Sequence, residues 1–273
     1  MKPRPITNRH EARASFAPYS ISRWYNSSAK RAFDLVGAIC LFVVCFPVMV
    51  LVAVGVKLTS PGPVIFRQRR PGRQGREFNI LKFRTMVDER RNPGPVLTRA
   101  KDPRVTWFGR HMRKWKLDEL PQLWNVLMGD MSFVGPRPQP TRLWKEPSIQ
   151  TEAAGILSVR PGITSQATVN FRNEEELLAP LSSDEVEKVY LRSIMPVKLK
   201  IDLAYLRDAT LFTDMVIVFR TVFRIFRRHP EQDVLIGAYL PEAEPRRARD
   251  AAVAEFRPVV EKEDYSGVAE QTD

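Results

Sequence analysis

The chain has 273 residues, enough for one or two domains, and its 44% hydrophobic content excludes a fully disordered chain. Its formal net charge is +12, but residues 229–273 carry 11 acids and 5 bases, which leaves +18 on residues 1–228. Such a body asks for an anionic partner (nucleic acid, phosphorylated small molecules or an anionic membrane surface), while two cysteines exclude a disulfide scaffold and three scattered histidines argue against a His-built metal centre.

Residues 1–29 are basic, polar and aperiodic and read as a poorly ordered lead. Leu35–Val56 follows, 22 residues without a charge and long enough to cross a bilayer. A cleaved signal peptide does not fit, because seven bases precede the run and no small-residue cleavage site follows it. Pro47 lies near the middle and must break or kink the helix. Lys30 and Arg31 stand before the run, and Lys57, Arg67, Arg69 and Arg70 after it, so both flanks carry the basic signature of the cytoplasmic side. That favours a re-entrant hairpin turning at Pro47 over a simple span; a buried core helix is the remaining alternative. Cys40 and Cys45 read as small membrane-buried hydrophobes.

Ser60-Pro61-Gly62-Pro63 is a clear break. Val64–Gln68 and Phe78–Thr85 are predicted strands around a turn-rich RRPGRQGR, and alternation puts Lys82 and Arg84 on one face. Asp102-Pro103 has the form of an N-cap with proline at the first helical position, predicting a helix to about Lys114. A second helix follows Leu117, with Leu120, Leu123, Trp124 and Leu127 at helical spacing and Gly129 as its stop. Residues 132–180 are expected to be loop-rich. Glu185–Arg228 is predicted helical with an interruption at Pro196. Arg220, Arg224, Arg227 and Arg228 recur on one face of its apolar end, the pattern of a helix lying in a membrane interface or of a core-packed helix with a solvated basic edge. Residues 229–273 are expected to form an acidic, disordered tail.

No Walker A loop, GxSxG, HExxH or GxGxxG is present. Two other features carry chemistry. Asp118-Glu119 precedes Pro121, which belongs in a first helical turn, so Asp118 is expected at or beside an N-cap. Adjacent acids there are ordinary capping residues, but Arg113, Lys114 and Lys116 lie within five residues, and such a group suits a phosphate held with a hard cation such as Mg²⁺. The second is Gly135-Pro136-Arg137-Pro138, where two prolines stiffen the stem of an arginine able to grip a phosphate, or simply form a rigid turn.

Together these residues resemble the monotopic phosphoglycosyl transferases, the bacterial sugar transferases. The resemblance covers about residues 30–228 and rests on KRAFDLVGA (Lys30–Ala38), KFRTM (Lys82–Met86), RKWKLDELPQLWNVLMGDMSFVGPRP (Arg113–Pro138), RPGIT (Arg160–Thr164), FRN (Phe171–Asn173) and KIDLAYLRDATLFTDMVIVFRT (Lys200–Thr221). It implies an α+β, mostly helical fold, with a re-entrant membrane helix and a catalytic domain carrying interfacial helices on the cytoplasmic face of the bacterial inner membrane. It also implies transfer of a sugar-1-phosphate from a UDP-sugar to a polyprenyl phosphate, the first membrane step of exopolysaccharide or O-antigen assembly. Asp118 would be the nucleophile that forms an aspartyl phosphosugar and Glu119 the Mg²⁺ ligand. Lys82, Arg84, Arg113 and Arg137 would be phosphate- or nucleotide-binding residues. The sequence departs from the family at Phe46-Pro47, where Ser-Pro is usual, and at SQATVNFRN (Ser165–Asn173), usually nearer GWAQVNGRN. The lead and tail have no counterpart in the minimal enzyme. Rival readings are a membrane-anchored nucleic-acid-binding protein, which lacks a recognised nucleic-acid module, and an inactive scaffold of a polysaccharide machine. The resemblance implies no nucleic-acid partner; a homo-oligomer stays open.

Overall fold

A computed structural model of the chain describes residues 19–87, 102–146, 149–172, 174–178 and 183–226. The acidic tail, most of the basic lead, and Arg227 and Arg228 lie outside the described residues. Among the described residues the fold is mostly helical, with two small two-stranded sheets.

Helix α1 (Ser28–Thr59) is capped by Ser27, whose hydroxyl accepts from the Lys30 amide, and it continues through Pro47. Its middle turns outward, with Val43, Val44 and Leu51 exposed. Its two ends behave differently: Lys30, Asp34 and Ala38 are buried at one end, Val52 and Val56 at the other. Lys30 Nζ lies 2.8 Å from Asp34 Oδ1, 2.7 Å from Ser132 Oγ and 3.0 Å from Asp214 Oδ2. Asp34 also accepts from the Phe133 amide at 3.1 Å, and Asp214 accepts from Trp24 Nε1 at 3.0 Å and from the Tyr205 hydroxyl. A buried cation needs such partners, and here they lock the start of α1 to the centre of the fold. At the far end Val52 and Val56 pack with Phe83 and Met112.

Strands β1 (Ile65–Pro71) and β2 (Glu77–Phe83) form an antiparallel hairpin that pairs Phe66 with Lys82. Helix α2 (Trp107–Lys114) is capped by Thr106, not by Asp102 as the sequence suggested. The Asp102 carboxylate is taken by the amide and guanidinium of Arg104, the Val105 amide closes a turn on the Asp102 carbonyl at 3.1 Å, and Val105 bridges to Met86, so the helix starts only after Thr106. A 3₁₀ turn (Leu117–Glu119) leads into α3 (Gln122–Met128), which Gly129 ends in the left-handed conformation at φ 88°.

The segment expected to be loop-rich contains β3 (Ser132–Val134), helix α4 (Gln150–Leu157) and β4 (Gly162–Thr164), with β3 and β4 paired in parallel. Strands of three residues are too short to show a period in sequence. At their end a Cβ on Gly162 would lie 2.2 Å from the Gly135 nitrogen, so this approach requires glycine. Short helices α5 (Gln166–Asn170), α6 (Glu174–Leu177) and α7 (Ser183–Val189) follow, then a π turn (Tyr190–Ile194) and the final pair α8 (Met195–Asp208) and α9 (Leu211–Phe226). The α-helical run is interrupted just before Pro196, as expected: the π turn ends at Ile194, and Pro196 sits in the first turn of α8. A further break falls at Ala209-Thr210, where Thr210 Oγ1 accepts from the Thr213 amide at 3.1 Å. Helix α9 buries Asp214 and Ile217 and exposes Phe212, Met215, Phe219 and Val222.

Candidate active site

The acid pair sits where α2, the 3₁₀ turn and β2 meet. Lys116 starts the turn at φ 56°, a left-handed conformation that costs a non-glycine residue about 1–2 kcal/mol. The turn sends Asp118 inward, where it is buried. It thus lies within the turn that precedes α3, rather than capping that helix.

The two acids have opposite surroundings. Arg137 grips Glu119 with both terminal nitrogens, Nη1 reaching Oε2 at 3.1 Å and Nη2 reaching Oε1. Lys82 Nζ donates to Glu119 Oε1 at 3.2 Å. Burial by itself would raise the Glu119 carboxyl, but Arg137, Lys82 and Lys116 outweigh it and hold Glu119 well below the usual carboxylate range. Asp118 is raised, first by burial and then by the charge of Glu119, with Lys82, Lys116 and Arg113 offsetting part of this. Asp118 Oδ1 is enclosed and has no hydrogen-bond partner.

Second elements hold the cations in place. Arg137 Nη1 also donates to the Ile163 carbonyl at 3.2 Å, tying the proline-flanked arginine to β4. Arg70 Nη1 donates to the Pro138 carbonyl at 2.9 Å. Asp202 on α8 accepts from the Ala167 amide at 3.0 Å, and the Ser165 side chain and the Arg137 amide also point at it. Burial raises the Asp202 carboxyl to about 6 despite these donors.

Of the residues singled out in the sequence, Asp118, Glu119, Lys82 and Arg137 come together. Arg113 lies at the edge: its Nε donates to Thr85 Oγ1 at 3.0 Å and its Nη1 pairs with Glu175 at 3.4 Å. Arg84 is elsewhere, donating from Nη2 to the Ser60 carbonyl at 2.7 Å under the C-terminal end of α1. Arg84 follows the last residue of β2, so the alternation that aims Lys82 at the acids no longer governs it. Gln122, Asp202 and Arg70 were missed. Gln122 and Asp202 lie in quoted motif stretches but read there as ordinary helical polar residues, and nothing in the sequence marks Arg70 apart from its basic neighbours.

Among the described residues no group of three His, Cys, Asp or Glu is arranged to hold a metal. The acid pair nonetheless fits one Mg²⁺, which usually takes one or two carboxylates plus substrate phosphates and water. Glu119 accepts three hydrogen bonds from cations, two at Oε1 and one at Oε2, so a lone pair remains on Oε2.

Residues 25–228 match the family described as Bacterial sugar transferase. The UDP-glucose:undecaprenyl-phosphate glucose-1-phosphate transferase of Escherichia coli K12 is 39% identical over 203 residues, 74% of this chain and 41% of that protein. The protein of the same name from Caulobacter vibrioides is 40% identical over 195 residues, 71% of this chain and 68% of that protein. The UDP-N-acetylgalactosamine-undecaprenyl-phosphate N-acetylgalactosaminephosphotransferase of Aeromonas hydrophila is 35% identical over 196 residues, 71% of this chain and 42% of that protein. The chain thus spans about two fifths of the length of the Escherichia coli and Aeromonas relatives.

Proposed function

Because the chain belongs to the bacterial sugar transferase family, we propose that it transfers a sugar-1-phosphate from a UDP-sugar to undecaprenyl phosphate, on the cytoplasmic face of the bacterial inner membrane. The observation that carries the chemistry is the contrast within the acid pair. Glu119 is held by two cations, while Asp118 beside it has an enclosed oxygen and no partner.

In the first step an oxygen of Asp118 attacks the sugar-proximal phosphorus. A P–O bond to the carboxylate forms as the P–O bond to UMP breaks, and the electron pair leaves with UMP. In the second step a phosphate oxygen of the lipid attacks the same phosphorus and the carboxylate departs. A carboxylate needs no general base for this, but its charge must approach a diphosphate. Lys82, Arg137 and Lys116 supply positive charge at that point, and Arg113 supplies more at the rim. Mg²⁺ on Glu119 would add charge neutralisation for the phosphate oxygens. The relatives' names include both glucose and N-acetylgalactosamine donors, so the reading extends to UDP-sugars as a class.

The membrane placement draws on α1. Its exposed apolar middle fits lipid, and both of its ends dock on one catalytic body. A span through roughly 30 Å of hydrocarbon would put those ends on opposite sides. This supports the re-entrant reading, with the exposed apolar face of α9 resting in the interface. The family membership also favours catalysis over the nucleic-acid and scaffold alternatives.

The test is turnover by the purified protein with UDP-glucose or UDP-N-acetylgalactosamine, undecaprenyl phosphate and Mg²⁺. Lipid-linked phosphosugar and UMP should form with the wild type and not with Asp118→Asn. Failure with every UDP-sugar tried, in protein that remains folded, contradicts the reading.

A further inference from the structure

We propose that the Gln122 side chain is a positioning residue for Asp118, its Nε2–H donating to Asp118 Oδ1 in the reacting complex. This rests on the reading of Asp118 as the nucleophile.

Gln122 is fully buried, and neither Nε2 nor Oε1 has a hydrogen-bond partner. Asp118 Oδ1 is likewise enclosed and unpartnered. The backbone between them stays right-handed and helical through Leu120 and Pro121. The turns here close by i→i+3 hydrogen bonds, Leu120 to Leu117 and Leu123 to Leu120, so Gln122 follows Asp118 by a little more than one 3₁₀ turn, roughly 8 Å along the axis, and both side chains are buried. That is within reach of a glutamine amide.

A buried amide without a partner destabilises a fold, and a methionine or leucine of similar volume would fill the space without that penalty. The fold alone therefore gives no reason for an amide at this position. Asn125, on the same helix, shows what a structural amide looks like here. Its Oδ1 accepts from the Leu81 amide at 3.0 Å and its Nδ2 donates to the Asn79 carbonyl at 2.9 Å. Of the two acids, Glu119 is already engaged by Arg137 and Lys82, while Asp118 Oδ1 has no donor.

With Oδ1 held, the other oxygen of Asp118 is the one presented to phosphorus. Once the phosphosugar is attached, Oδ1 is the carbonyl oxygen of the mixed anhydride. When the lipid phosphate attacks, the Asp118 O–P bond breaks and its electron pair returns to the carboxylate. The charge that develops on Oδ1 then meets the same N–H.

The experiment compares wild type with Gln122→Met and Gln122→Leu. The melting temperature should be equal or higher in the variants, since an unpartnered amide has gone. KM for the UDP-sugar should stay within about twofold while kcat falls about 10²-fold, the scale expected when a reacting group loses its orientation. Acceptor-free UMP release should slow similarly without a change in its final amount. Turnover near that of wild type overturns the inference, and so does a loss of activity that tracks a lower melting temperature. If the wild type itself releases no UMP without acceptor, the nucleophile reading has failed, and this inference with it.

Discussion

Glu119 accepts three hydrogen bonds from cationic nitrogens, and Asp118, its neighbour, accepts none among the described residues. On the proposed mechanism, two side chains of nearly equal chemistry thereby have different work, one to fix the charges and one to react. Arg137 owes its part in this to shape. Its planar fork meets both Glu119 oxygens, and a lysine ammonium cannot reproduce that. Arg137→Lys should lower turnover by about 10²–10³-fold, the usual effect of losing a preorganised charge contact, and steady-state kinetics would show it. Activity within a few-fold of wild type would contradict the role given to the fork. Asp202 holds the Arg137 backbone from behind at a cost that depends on pH. Its carboxyl lies at about 6 in the folded protein, because of burial, and near 4 in the unfolded chain. The folded state thus binds this proton more tightly. The stability linked to Asp202 is fully present below about pH 4, is lost as pH rises through about 6, and is level above that. Asp202→Asn should remove that slope, so urea midpoints of wild type and variant should diverge across this range and then run parallel. Midpoints that run parallel throughout would show that Asp202 does not titrate there.

At the scale of elements, the best-anchored part of α1 is its polar beginning. Lys30 is buried with Asp34 and Asp214 within 3.0 Å of its ammonium. Lys30→Met leaves two buried aspartates without their cation and should destabilise the protein by about 3–5 kcal/mol, measurable by chemical denaturation. A loss below about 1 kcal/mol would mean that the cluster is solvated or rearranged, as surface pairs are. The sequence displayed α1 through its uncharged length, the β1–β2 hairpin through a turn between two runs, and the end of α3 through Gly129. It hid β3 and β4, whose three residues each are stabilised by parallel pairing across a long connection. It misplaced the start of α2 because Asp102 and Thr106 are both good caps, and the choice was made by Arg104, which removes Asp102 from contention. Lys82, Asp118, Glu119 and Arg137 were legible because they stand in dense motifs. Gln122 and Asp202 were not, because their roles depend on which of their atoms find partners in three dimensions.

For the whole molecule, the body gathers the acid pair, the two ends of α1 and the apolar face of α9 into one unit. Cysteines placed singly at exposed Asn26 and Gln74, with Cys40 and Cys45 replaced, report on the two flanks of α1. In intact cells both should be shielded from a membrane-impermeant thiol reagent and react only after permeabilisation; labelling of one but not the other would mean that α1 spans. The covalent step on Asp118 is the centre of the account, and mass spectrometry tests it most directly. Enzyme is incubated with a UDP-sugar and Mg²⁺ without lipid acceptor, quenched, and the peptide containing Asp118 is analysed alongside the UMP released. The expected result is a phosphosugar increment on that peptide and UMP close to one equivalent per active enzyme, both absent in Asp118→Asn. UMP that appears only after polyprenyl phosphate is added, with the peptide unmodified, would contradict it and point to direct transfer between the two substrates.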